Sequence, residues 1–271
     1  WPYFTEHLVL ATPDNGVAIA IYAACKATVK VGDGKEITLH EETNYPFEEA
    51  IAFTVSTGEK VAFPFYLRIP SWTQKAEVRV NGKKVSAAPV AGKYLCINRE
   101  WANGDRVELT LPMSLSMRTW QVNKNSVSVD YGPLTLSLKI AEKYVEKDSR
   151  ETAIGDSKWQ KGADSKKWPT TEIYPDSPWN YSLVLDKKEP LKNFKVIRKS
   201  WPTDNYPFTV ASVPLEVKAI GRPVPEWKID ETGLCGVLPE EDAVKGDKEE
   251  ITLIPMGAAR LRISAFPNTK E

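Results

Sequence analysis

The chain has 271 residues, of which 42% are hydrophobic and 27% are charged, a balance that excludes disordered, collagen-like and small disulfide-framework proteins. Lys plus Arg and Asp plus Glu each number 36, so no net charge attracts nucleic acid or an anionic membrane. No apolar run reaches the roughly 18 residues of a membrane-spanning helix, and we therefore expect a soluble protein. The length favours two medium-sized domains.

The first part of the chain alternates between apolar and polar residues and is broken by Gly, Pro, Asn and Asp, which predicts short strands and tight turns. Residues 7–11 and 17–22 flank a Pro-Asp-Asn-Gly turn and predict a β-hairpin. The sharpest turn signal is Asn81-Gly82, because this dipeptide suits the type I′ turn that matches strand twist. We predict that residues 1–117 form a first β-sandwich.

The second part resumes short alternating strands after a long interruption. Residues 142–181 mix charged and small residues with aromatic residues and three prolines, which predicts a long irregular insertion. Strand spacing returns beyond it and closes a second β-sandwich over residues 118–271. The predicted fold class is therefore all-β, with two antiparallel, jelly-roll-like β-sandwich domains in tandem.

Acidic and sulfur-containing residues are the first candidates for catalysis or metal binding. Glycoside hydrolysis commonly needs two converging carboxylates, whereas neighbours such as Glu41 and Glu42 point to opposite faces of a strand, and we expect such pairs on the solvated surface. Cys25, Cys96 and Cys235 lie far apart in apolar sequence without a Cys-x-x-Cys pair, which predicts buried free thiols. We thus predict no catalytic residues and no metal ligands in this chain.

Aromatic residues are the second kind of candidate, because the apolar face of a sugar ring stacks on indole and phenol rings. Trp159, Trp168 and Trp179 lie in polar, proline-containing sequence, where a large ring is harder to bury. We predict them as candidate carbohydrate-binding residues. Packing against another domain explains them equally well.

Eight short motifs occur in a fixed order along most of the chain. They are ATPDNG (11–16), ETNYPF (42–47), LRIPSW (67–72), VNG (80–82), REW with GD (99–105), LTLPM (109–113), YGPL (131–134), and LIPMG with LRI (253–263). Each motif alone consists mainly of residues that are common in turns and is therefore weak evidence. Together and in this order they resemble the C-terminal β-domains of glycoside hydrolase family 127, the β-L-arabinofuranosidase-like enzymes.

The resemblance implies that the chemistry lies elsewhere. In that family an N-terminal (α/α)6 barrel carries the active site, with a cysteine nucleophile and a zinc ion surrounded by further cysteines and a glutamate. The family's Cys-Cys motif precedes the region that aligns with Trp1, so we expect this chain to begin inside a longer precursor, just past the nucleophile. The resemblance also implies a periplasmic or extracellular location.

The leading hypothesis is a non-catalytic, structural part of a glycoside hydrolase that packs against the missing barrel. On this hypothesis Trp1, Tyr3 and Phe4 face the barrel and are exposed without it, while residues 8–10 stay in a strand of the first sandwich. A carbohydrate-binding module that uses the loop aromatics is the alternative. An independent hydrolase that uses surface carboxylates is the least favoured hypothesis.

Overall fold

The computed structural model describes residues 2–148, 164, 166–240 and 242–271. Almost all regular structure in these residues is β-strand, and most strands pair antiparallel, so the predicted all-β, sandwich-type fold class is confirmed. The chain divides into two compact units, one of Trp1–Ser114 with Tyr131–Leu134 and one of Leu115–Asp130 with Thr135–Glu271. No helix among the described residues has the length and apolar character needed to cross a membrane.

The elements up to residue 110 belong to the first unit. In chain order they are α1 (Pro2–Glu6), β1 (Val9–Ala11), β2 (Val17–Ile19), β3 (Cys25–Val31), β4 (Lys35–Thr43), β5 (Ala50–Thr57), β6 (Val61–Arg68), β7 (Glu77–Val80), β8 (Lys83–Lys84), β9 (Tyr94–Trp101) and β10 (Arg106–Thr110). The predicted hairpins are confirmed: β1 pairs with β2, and β7 pairs with β8 around Asn81-Gly82. Both turn residues have positive φ, 51° and 76°, as a type I′ turn requires.

Two sheets build the first unit. One has four strands in the order β1-β2-β6-β9 and the other has six in the order β3-β4-β5-β10-β7-β8. Side chains from both sheets share one hydrophobic core. The ring of Phe65 lies 5.6 Å from the rings of both Phe53 and Trp101, and the Trp101 indole nitrogen donates a 2.9 Å hydrogen bond to the carbonyl of Phe63. The first unit is therefore a β-sandwich with its core between the sheets.

The remaining elements lie between residues 115 and 270. They are β11 (Leu115–Trp120), β12 (Ser126–Tyr131), β13 (Leu134–Leu138), β14 (Glu142–Lys147), β15 (Thr170–Pro175), β16 (Tyr181–Leu185), β17 (Lys195–Arg198), β18 (Leu215–Pro223), β19 (Glu249–Pro255), the 3-10 turn η1 (Met256–Ala258) and β20 (Asn268–Lys270). Eight of these strands form one sheet in the order β11-β12-β13-β19-β18-β16-β20, with β17 on β18.

Part of the segment predicted to be irregular is a regular ribbon. Strands β14 and β15 pair antiparallel, with Glu142 opposite Pro175 and Lys147 opposite Thr170. The prediction of an irregular insertion over residues 142–181 is therefore wrong at these two strands. Neither strand has a buried residue, so the apolar alternation that indicates a half-buried strand is missing from their sequence.

Candidate functional site

The N-terminal helix α1 places aromatic side chains in solvent. The Tyr3 side chain is 80% exposed and that of Phe4 is 42% exposed, and no residue of α1 is buried. Leu8 is buried but precedes β1 (Val9–Ala11), so the strand predicted for residues 8–10 begins one residue later than expected. The exposure of Tyr3 and Phe4 is the one expected, although contact with a barrel remains a prediction; Trp1 lies outside the described residues.

A shallow, open depression of about 490 Å³ lies in the first unit, where the β1–β2 turn meets the outward face of the four-stranded sheet. We call it the Asp14 pocket. It is lined by Thr12, Pro13, Asp14, Ala18, Tyr66 and Tyr94. On β6, the residues before and after Tyr66 point into the core, so the alternation of the strand turns Tyr66 outward. The pocket therefore combines two phenol rings with one carboxylate.

Hydrogen bonds hold the carboxylate of the Asp14 pocket in place. The Tyr66 hydroxyl donates to Asp14 Oδ2 at 2.6 Å, and the Thr12 hydroxyl donates to Asp14 Oδ1. The bonds from Thr12 and Tyr66 lower the pKa of Asp14, whereas the bond to Asp14 raises the pKa of Tyr66. Asp14 is thus a fixed, charged acceptor at neutral pH.

A second cavity, of about 400 Å³, lies in the second unit beside the β14–β15 ribbon, and we call it the Trp179 groove. Its walls are mainly apolar and include two arginines. The lining residues are Ile140, Ile173, Tyr174, Pro175, Trp179, Ile229, Gly233, Leu234, Cys235, Arg260, Leu261, Arg262 and Ile263. Trp179 packs edge-on against Trp227 at 5.1 Å, and the Trp227 indole donates to the Gly236 carbonyl at 2.9 Å.

The three predicted binding tryptophans are not equivalent in the structure. Trp179 lines the groove, whereas Trp168 lies before β15 with 72% of its side chain exposed and outside the lining set. Trp159 lies outside the described residues. The Asp14 pocket was missed from the sequence because its parts come from distant strands. The outward position of Tyr66 among inward Phe63, Phe65 and Leu67 was the available signal.

The most unusual acid in the first unit is Glu41, which is 1% exposed and follows the inward-facing Ile37 and Leu39 of β4. The Cys25 thiol donates to Glu41 Oε2 at 3.8 Å, while Oε1 has no hydrogen-bond partner. Burial raises the pKa of Glu41 to about 8. The expectation that Glu41-Glu42 lies on the surface is therefore wrong for Glu41, although Glu42 is exposed.

Other buried acids have structural partners. Asp130 accepts two hydrogen bonds from the Arg118 guanidinium, at 2.7 and 2.9 Å. Glu216 accepts from Lys139 and Lys199 at 2.7 and 2.6 Å, and these bonds outweigh burial and lower its pKa. These carboxylates hold strands together.

The exposure of the three cysteines differs from the prediction, and their positions bear on metal binding. Cys96 and Cys235 are exposed and Cys25 is half-buried, so the prediction of buried thiols is wrong. Cys96 points outward because it alternates with the buried Leu95 on β9. Among the described residues, no three His, Cys, Asp or Glu side chains gather in a way that could hold a metal ion. The pair of Cys25 and Glu41 does not match the zinc ligand set that the family resemblance implies.

Comparison with known proteins agrees with the sequence motifs. A family model described as Beta-L-arabinofuranosidase, GH127 middle domain, matches residues 16–113, which lie in the first unit. The search of curated proteins gave no match.

Solved structures resemble almost the whole chain. A GH127 β-L-arabinofuranosidase from Geobacillus stearothermophilus T6 superposes with a TM-score of 0.63 at 20% identity, over 98% of this chain and 35% of its own. A second structure, described as a glycoside hydrolase, gives 0.62 at 22% identity over 95% and 36%. A GH127 β-arabinofuranosidase gives 0.60 at 23% identity over 95% and 36%. This chain thus spans about a third of the length of each.

The family match relates residues 16–113 to a domain of glycoside hydrolases, within a chain that is β-rich throughout its described residues. The resemblance to the β-domains of family 127 is confirmed, because the family model matches residues 16–113 within the first unit and the solved structures share their fold with both units.

Proposed function

We propose that this chain is the non-catalytic β-part of a glycoside hydrolase resembling the β-L-arabinofuranosidases, and that it supports an (α/α)6 barrel of the same parent protein. The observation that carries the proposal is coverage: a relative aligns with 98% of this chain over only 35% of its own length. The nucleophile and the zinc ion would then belong to the barrel. The same resemblance favours a periplasmic or extracellular location.

The side chains of this chain fit a supporting role. Its buried Asp130 and Glu216 are bound to arginine and lysine partners, which fixes them as structural charges. Exposed aromatic residues such as Tyr3 and Phe4 are the kind of surface that a packed neighbour covers. Core packing between two sheets gives the first unit a rigid framework on which a second domain can rest.

The direct test is hydrolysis by the isolated chain. We expect no release of nitrophenol from a nitrophenyl β-L-arabinofuranoside, with or without added zinc, because the nucleophile and metal ligands would lie in the barrel. The variants Asp14→Asn and Glu41→Gln serve as controls for a contaminating enzyme. Turnover that follows the protein through purification and disappears in either variant would overturn the non-catalytic role.

A second candidate function is carbohydrate binding through loop aromatics, and the position of Trp179 in the groove favours it. Binding of oligosaccharides should weaken in Trp179→Ala and remain in Val122→Ala, which changes a fully exposed side chain of the same unit. Equal binding by both variants would exclude the Trp179 groove as the carbohydrate-binding site.

A further inference from the structure

We propose that the Trp179 groove of the second unit binds an aromatic carboxylate, a small organic anion with a planar apolar body. Three features of the groove carry the proposal: its walls are mainly apolar, part of those walls is exposed, and the charged side chains among its described lining residues are both arginines. The volume of about 400 Å³ is within the range of small-ligand sites.

Large apolar side chains of the groove are exposed to solvent. Leu234 is 66% exposed, and Ile229 and Tyr174 are each 44% exposed. The lining also includes the buried side chains of Ile140 and Ile263. Exposed apolar surface that adjoins a cavity is typical of a ligand-binding groove, because an occupant removes that surface from water.

The walls of the groove are held by contacts within the protein. A β-bridge pairs Ile229 with Cys235, and the carboxylate of Asp230 accepts hydrogen bonds from two backbone amides of the same loop, at 2.9 and 3.0 Å. The Trp179 ring is supported by the ring of Trp227, 5.1 Å away. A ligand therefore meets a preformed surface, which lowers the entropic cost of binding.

The two lining arginines retain hydrogen-bond donors. The Arg262 guanidinium donates through Nε to the Ala259 carbonyl at 2.9 Å, and neither arginine forms an ion pair with Asp or Glu in the part of the chain that the structure describes. A guanidinium has five N–H donors, and a carboxylate can accept two of them side by side. Arg260 and Arg262 can therefore bind a carboxylate that enters the groove.

Acidic residues near the groove are engaged in other hydrogen bonds. Glu142 accepts from the Arg260 backbone amide at 2.9 Å and from the Tyr144 hydroxyl at 2.6 Å, while Asp230 accepts from amides of its own loop. Neither carboxylate lines the groove. The charge on the described lining is therefore positive, which favours an anion over a cation.

The lining favours an aromatic acid over a saccharide. A sugar needs acceptors for its hydroxyl groups, and the described lining residues include no carboxylate, amide or aliphatic hydroxyl side chain. The Tyr174 hydroxyl already donates to Glu172. An aromatic acid instead places its ring beside the rings of Trp179 and Tyr174 and its carboxylate on the arginines. The oligosaccharide of the second candidate function is the competing occupant.

The test is calorimetric titration of the full chain with cinnamate, an aromatic carboxylate, and with cinnamamide, which has the same body without the charge. We expect cinnamate to bind about tenfold or more tightly than cinnamamide at low salt, because only the carboxylate pairs with the arginines. Added salt should narrow this difference. An arabino-oligosaccharide should not displace cinnamate.

Variants separate the charged and the apolar parts of the site. The double variant Arg260→Gln with Arg262→Gln should remove the preference for cinnamate over cinnamamide, and Trp179→Ala should weaken the binding of both probes. The matched control is Lys187→Gln with Lys188→Gln, which removes the same charge from exposed positions of the same unit outside the lining set and should bind like the unmodified chain. Thermal unfolding establishes that each variant is folded.

Cys235 reports where the ligand binds. It lines the groove and is exposed, and Cys96 is an exposed thiol of the first unit that serves as the internal comparison. Saturating cinnamate should slow the alkylation of Cys235 by N-ethylmaleimide several-fold and leave that of Cys96 unchanged. Mass spectrometry of the modified peptides measures both rates.

Several results would overturn this site. These are no cinnamate binding, equal affinity for cinnamate and cinnamamide, an unchanged preference in the folded arginine double variant, unchanged binding in folded Trp179→Ala, no protection of Cys235, or displacement of cinnamate by the oligosaccharide. The last result would assign the groove to carbohydrate. Because these measurements need no barrel and no turnover, a failure here leaves the supporting role of the chain intact.

Discussion

At Glu41, an ionisable side chain occupies a position that the β4 alternation assigns to the core. Its neighbours in that alternation are Ile37 and Leu39, and one of its oxygens lacks a partner. A buried carboxylate without full hydrogen bonding is costly when charged, so the protonated form is favoured in the folded state. The titratable groups beside it are the Cys25 thiol, which donates to Oε2, and the buried phenol of Tyr22.

Glu41 should make the stability of the first unit depend on pH. Its pKa is about 8 when folded and near 4.5 when unfolded, so the folded state holds the proton more tightly. Relative to Glu41→Gln, stability is highest below pH 4.5, falls as the pH rises towards 8, and then levels off. We expect the difference between the two proteins to change by about 2–5 kcal/mol between pH 4.5 and pH 9. Urea unfolding at several pH values measures it, and parallel pH profiles would contradict the burial of a protonated Glu41.

The three thiols should react at different rates. Cys96 and Cys235 are exposed, whereas Cys25 is half-buried and burial raises its pKa to about 11, which lowers the fraction of reactive thiolate. A chromogenic disulfide reagent should titrate two thiols rapidly in the native chain and three after denaturation without reductant. A denatured count of one would reveal a disulfide, and rapid reaction of Cys25 would contradict its shielding. Single Cys→Ser variants assign each phase.

At the scale of elements, turn chemistry was the part of the fold that the sequence predicted best. The Asn81-Gly82 hairpin needs positive φ at both residues, and few sequences supply it, so the local signal is specific. The parallel pairing of β2 with β6 was not predicted, because it joins segments far apart in the chain and no local pattern selects the partner. The β14–β15 ribbon was missed because it has no buried face. The Asp14 pocket depends on the same long-range pairing.

Gly16 should be required by the contact between the β1–β2 turn and β6. A Cβ atom at this position would lie 2.3 Å from the Pro64 carbonyl oxygen and 2.5 Å from its Cγ, so backbone must shift to admit it. We expect Gly16→Ala to destabilise the first unit by about 1–3 kcal/mol, the range typical of overpacking. Gly58→Ala is the matched control, since a Cβ atom there would meet nothing within 4 Å beyond its chain neighbours, and thermal unfolding compares the two. Equal unfolding temperatures would contradict the close contact.

At the scale of the whole chain, the likeness to known structures covers both units, while the family model covers only residues 16–113. The all-β class and the family resemblance could be read from the sequence because eight motifs, most of them turns, keep their order. The sequence did not predict that Tyr131–Leu134 belongs to the first unit. Nothing near the predicted domain boundary between residues 117 and 118 indicates that the chain returns to that unit. The position of Trp179 in a groove likewise depends on lining residues from four separate segments of the chain.

If this chain supports a catalytic barrel, reconstitution of the two parts should restore full activity. The barrel of the parent protein and this chain, produced as separate polypeptides, should form a complex that hydrolyses a nitrophenyl β-L-arabinofuranoside faster than the barrel alone. The variant Tyr3→Ser should weaken the complex at least several-fold without lowering the unfolding temperature of the chain, because the Tyr3 side chain is 80% exposed. A barrel that is equally stable and active with and without this chain would contradict the claim.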